Sequence, residues 1–164
     1  MPLQESKFMN VLRRIARKLG GTADIVRATL RGSERIDSIE VYGRQEFRRV
    51  VTTALHLLRD KKLPAWETLT QHVNSIFEGG RTVVIVTAHP AFMFIDGPHS
   101  VQAPELLAAT IAHMACSCQL HRDYEAEFPG GRATRDVYSG NAAQERCEKA
   151  YHECLLALGK GAKG

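Results

Sequence analysis

The sequence predicts an α+β fold, mostly helical, in which a small antiparallel sheet of two or three strands packs on one buried central helix. Three observations predict it. Pro104 to Tyr124 is apolar on nearly all sides until Gln119, and a helix of that kind is buried. Thr82 to Thr87 (TVVIVT) and Phe92 to Ile95 are β-branched or aromatic runs, which read as strands, joined by Ala88-His89-Pro90-Ala91 in a hairpin-like connection. Around them, apolar residues recur at helical spacing in several further segments.

The central helix has clear boundaries. Proline disfavours the helical region for Ala103 before it, and Pro104 suits a first helical position where no N–H is needed. Glu105 meets the positive end of the helix dipole. His113 then stands as a titratable group in the middle of an apolar helix. A first helix is expected from Lys7 to Leu19, capped by Ser6 and closed by Gly20-Gly21, with a short one at Ala23 to Leu30. Ile36, Ile39 and Val41 suggest a weak strand. Helices follow at Arg44 to Arg59 and from Pro64 to Phe77, the latter with Trp66, Leu69, Val73, Ile76 and Phe77 inward. Asp96-Gly97-Pro98 is a turn. Glu125 to Gly140 reads as loop, and a last helix runs from Asn141 to Leu158, stopped by Gly159.

At 164 residues the chain is long enough to bury a real core. It divides into a basic helical N-terminal segment, residues 1–35, and a single α+β domain, residues 36–164. Residues 1–50 hold 11 Lys or Arg against 6 Asp or Glu, whereas the rest hold 11 against 12, so the basic excess is N-terminal. Arg13, Arg14, Arg17 and Lys18 on the first helix are the candidate partner-binding residues, for a protein partner or for nucleic acid. A solvated face explains them as well, because no aromatic residues interleave them as a stacking surface would want. No apolar run follows the first methionine, and Leu106 to Cys118 is too short to cross a bilayer. A cytoplasmic protein without a transmembrane segment is expected, its four cysteines being thiols or metal ligands.

LLAATIAHMACSCQLHRDY, preceded by two strands and an Ile-Asp-Gly turn and followed by a helix containing QERCEKA, resembles the core of small zincin-type metallopeptidases. The resemblance covers roughly residues 80–159. It implies a zincin-like core in which the central helix carries an HExxH motif and a later helix brings a third ligand. Two histidines one turn apart hold zinc, and the glutamate between them takes a proton from the zinc-bound water. Here that motif reads His113-Met114-Ala115-Cys116-Ser117. The first ligand is kept, a thioether replaces the base, and serine replaces the second ligand. Glu145 or Glu148 would correspond to the third.

Three readings follow. The first is a non-catalytic zincin-like domain, a pseudo-metallopeptidase with no catalytic residues, acting through a protein partner or in an assembly. The second is a metal-dependent hydrolase with an altered ligand set, in which zinc would be held by His113, Cys116, Glu148 and His152. The third is a basic nucleic-acid-associated or structural protein. His121, two turns from His113 and rotated by about 80°, is a weaker ligand. His89, Asp96 and His99 could flank a cleft, although turn chemistry accounts for the Asp-Gly-Pro equally well.

Overall fold

The computed structural model describes residues 22–160. The expected helix at Lys7 to Leu19, with Arg13, Arg14, Arg17 and Lys18, lies outside them. The described chain is α+β and mostly helical. It runs α1 (Thr22–Leu30), β1 (Ser33–Ile36), β2 (Ile39–Tyr42), α2 (Gln45–Asp60), α3 (Pro64–His72), β3 (Val73–Glu78), β4 (Val83–Ile85), β5 (Ala91–Ile95), α4 (Gly97–Ser100), α5 (Pro104–Glu127), α6 (Arg135–Ser139) and α7 (Asn141–Ala157). No helix among the described residues is long and apolar enough to cross a membrane.

The sheet is larger than expected, and mixed. It has five strands in the order β1-β2-β3-β5-β4. The inner strands β2, β3 and β5 are parallel, and the two edges β1 and β4 are antiparallel to their neighbours. The main correction is β3. The spacing of Leu69, Val73, Ile76 and Phe77 fits a helix, but the helix stops at His72. Val73 is already extended at φ −117°, ψ 137°. Pairing with β2 on one side and β5 on the other outweighs the helical periodicity, since β-branched and aromatic residues suit a strand buried on both faces. The run at Thr82 to Thr87 pairs over three residues only and forms an edge. The weak strand around Ile36 to Val41 is a hairpin, turned at Asp37 with φ 50°. The region from Glu125 to Gly140 is partly helical, because α5 continues to Glu127 and α6 follows.

Alternation along the inner strands makes two cores. Ile76, Ala91, Met93 and Ile95 face α2, α3 and α5 in the larger one. Phe77, Phe92 and Phe94 face the other way, where Ile25 and Ala28 of α1 cover them. Strand β1 spans the position 35/36 and α1 packs on β3, so the described part of the N-terminal segment shares this fold.

The carboxyl end of β3 is tied down by Glu78. Its carboxylate accepts from the Arg44 backbone N–H (2.8 Å) and from Arg44 Nε (2.6 Å), and it pairs with Arg31 (3.4 Å). Burial opposes ionisation, but the Arg44 bonds and the two guanidiniums outweigh it and hold this carboxyl below its usual range. Gly43 makes the approach possible. It sits at φ 154°, and a Cβ there would lie 2.7 Å from the Phe47 ring and 2.8 Å from Glu78 Cβ.

Leu107 is fully buried on α5, whereas Leu156 is 64% exposed. Leu107→Ala is expected to cost about 2–5 kcal/mol in denaturant unfolding, and Leu156→Ala less than about 0.5 kcal/mol. Equal losses would show that α5 is not the centre of the core.

Candidate functional site

Helix α7 lies against α5 along a seam of small residues. Ala112, Ala115 and Ser117 of α5 and Ala143 and Cys147 of α7 are buried, and short side chains let helix axes approach closely. The seam therefore brings His113, Cys116 and Ser117 of α5 against α7.

At the solvent edge of this seam, Gln144 reaches two groups. Its amide Nε2 lies 3.4 Å from His113 Nε2 and donates to Glu148 Oε1 at 3.1 Å. An amide nitrogen only donates, so His113 Nε2 is the acceptor and its proton sits on Nδ1. Burial favours the neutral ring and pulls the His113 pKa down, with Glu148 acting in the opposite sense. Deeper in the seam, Ser117 Oγ is 3.6 Å from Cys147 Sγ. The Cys116 and Cys147 thiols face each other across the seam, and their interaction pushes Cys116 up and pulls Cys147 down. Met114 is buried in the main core, away from water.

The four residues expected as metal ligands are thus distributed. His113 and Glu148 are joined through Gln144, Cys116 faces Cys147, and His152 is exposed with its ring edge-on to Tyr151. Among the described residues, no group of three or more His, Cys, Asp or Glu is placed to hold a metal ion. His113 is half-buried rather than enclosed. The buried histidine of α5 is His121, at 4% exposure.

His121 belongs to a second constellation beyond the seam. Glu125 lies 3.5 Å from His121 Nδ1 and 3.4 Å from His89 Nε2, while Arg122 donates to Glu125 (2.9 Å) and to the Ala88 carbonyl (2.6 Å). The Tyr138 ring of α6 stands edge-on to His121 at 5.4 Å. His121 Nδ1 is the buried side-chain polar atom left without a hydrogen bond among the described residues. Burial is the largest influence on it and lowers its pKa, aided by Arg122 and His89 and opposed by Glu125. His89 does not join Asp96 and His99, because they lie at opposite ends of β5. Asp96 instead caps α4, accepting from His99 N (2.9 Å) and pairing with His99 Nδ1 (2.8 Å). The i, i+4 spacing of His121 and Glu125 was visible in the sequence, but the approach of His89 depends on the hairpin.

No family model, curated protein or solved structure matches this chain.

The pH dependence of stability follows from these groups. Burial holds His113 and His121 below the ordinary histidine range in the native state, so the native state refuses protons that the unfolded chain accepts. Their contribution is complete above the unfolded value and is lost as pH falls from about 6.5 through the native values. Glu78 and Asp96, also lowered, contribute above the unfolded carboxylate range, and that part is lost at more acid pH. Urea unfolding from about pH 8 down to about pH 5 is expected to show declining stability, with a shallower decline in His121→Gln. A flat profile in the parent would contradict the burial of these rings.

Proposed function

We propose that the chain is a non-catalytic, zincin-like domain that works in the cytoplasm by binding a protein partner. The layout supports this reading. Strands β4 and β5 lead through Asp96-Gly97-Pro98 into α5, and α7 lies alongside it. The observation that carries it is the Gln144 amide, which touches both His113 and Glu148. In a zincin the lone pair of that histidine would point at zinc. In this chain it faces an N–H, and the histidine and glutamate are bridged by one side-chain amide. The position of the general base is a thioether turned into the core, and a thioether is not a proton acceptor at any physiological pH.

A domain of this kind has its surfaces left to act with. Val26 and Leu30, one turn apart on α1, are 45% and 82% exposed, and apolar residues grouped on a helix face suit a partner better than water. The free cysteines of α5 and α7 fit a reducing compartment.

The test rebuilds the missing ligand. Ser117→His would place two histidines one turn apart on α5, along the seam with the helix that carries Glu148. This variant is expected to bind about one zinc ion by metal analysis and to give a tetrahedral cobalt(II) absorption spectrum, and to remain without peptidase activity because Met114 is unchanged. Failure of the folded variant to take up zinc or cobalt would remove the zincin-like reading. Zinc-dependent peptide hydrolysis by the parent chain would remove the non-catalytic one.

A further inference from the structure

Helices α3, α5 and α7 leave a cavity of about 260 Å3 between them, open to solvent on one side. Its walls are mainly Leu63, Ala65, Ala112, Ala115, Ala150 and Ala157. Alanine on facing helices is what leaves the space, since any larger side chain at these positions would fill it.

The polar groups around it are mostly occupied. Gln119 accepts from His72 Nε2 at 2.9 Å through its oxygen and donates to Asp123 at 2.5 Å through its nitrogen, so both ends of its amide are used. The Cys116 thiol is engaged with Cys147. Glu153, on the rim, shares its charge with Lys149 at 3.7 Å. Arg146 differs. It lines the cavity, is exposed, and makes no side-chain hydrogen bond or ion pair among the described residues. The result is an apolar chamber with one uncompensated cation at its mouth.

We propose that this cavity binds a small organic monoanion, a carboxylate on an apolar body, with the carboxylate on Arg146 and the body between α3, α5 and α7. Size limits the body. An apolar cavity of roughly 150 Å3 holds a benzene molecule, so a space about 1.7 times larger takes about ten carbon atoms. Guanidinium suits a carboxylate because its planar N–H fork matches the two oxygens. A site of this kind is largely pre-formed and apolar, with few polar groups fixing orientation. It does not depend on the zincin-like reading: Cys116 is the one candidate metal ligand that lines the cavity, and neither Arg146 nor the apolar walls are part of that ligand set.

The probes are octanoate and octan-1-ol, which share a chain and differ in charge. Ligand-observed NMR and thermal unfolding with the whole chain are expected to show octanoate binding, each methylene removed from the chain costing about fourfold in affinity. Arg146→Gln is expected to weaken octanoate by about tenfold and leave octan-1-ol unchanged. Ala115→Leu fills the cavity and is expected to abolish both. Should that variant not fold, Ala150→Leu, which fills the cavity from the α7 side, gives the location, because it is expected to abolish both as well. Binding unaffected by the folded filling variant would overturn the proposal. So would equal affinity for the two probes, or no binding by either at millimolar concentration.

Discussion

Everything in this fold depends on α5 being enclosed, and enclosure depends on how small its side chains are. Four of its ten buried residues are alanine, with serine and cysteine adding two more short ones. A helix with large apolar groups on all sides would hold its neighbours at the far end of the usual 8–10 Å spacing. Short ones let α2, α3 and α7 all approach, while Leu107, Ile111 and Met114 fill what is left. Dispersion contacts are individually weak and depend on close distance, so a three-sided enclosure by short side chains is effective only because the backbones come near. Helix α7 has few apolar residues of its own. It is held by Ala143, Cys147 and Cys154, the buried residues it presents.

The sheet meets this enclosure from below and is itself two-faced. Strands β3 and β5 send alternate residues to the α5 side and to the aromatic cluster under α1. Phe77 stacks on Tyr42 at 4.8 Å and meets the Phe92 and Phe94 rings at 5.9 and 5.8 Å. Both faces are covered, and that is why the inner strands can be parallel and nearly continuous in apolar character. Glu78 fits this frame as the polar end of an otherwise apolar strand. Its place in the core is tolerable because three donor groups converge on it; a buried carboxylate without them would cost several kcal/mol.

Helix α5 was legible because local and global signals agree there: a first-turn proline, an acidic residue after it, and apolar residues all round. The β3 strand was not, because α3 passes into it without glycine or proline, and Leu69, Val73, Ile76 and Phe77 satisfy a helical period as well as a strand. Only pairing with β2 and β5 decides, and pairing is a long-range fact. The same limit applies to the site. The sequence puts His113 among apolar neighbours and so suggests burial, yet burial is decided by what α7 lays over it, and α7 offers Gln144 and Glu148, both exposed. His121 looked less promising by its rotation from His113, yet it is the enclosed one, since α6 and the β4–β5 hairpin close over it. Glu78 carried no motif. Its one signal was an acidic residue ending an apolar run before Gly79-Gly80.

The seam and the cavity are two outcomes of one constraint. Where α5 and α7 oppose each other with groups that can hydrogen-bond, as at His113 with Gln144 and Ser117 with Cys147, the close approach yields a polar contact. Where they oppose alanine to alanine, as at Ala112 and Ala115 across from Ala150 and Ala157, nothing spans the gap and space remains. The Gln144 bridge is then more than a surface contact. A histidine and a glutamate held beside each other need a donor for the histidine lone pair and a partner for the carboxylate, and one amide group supplies both. The chemistry of this seam is therefore decided at α7 as much as at α5.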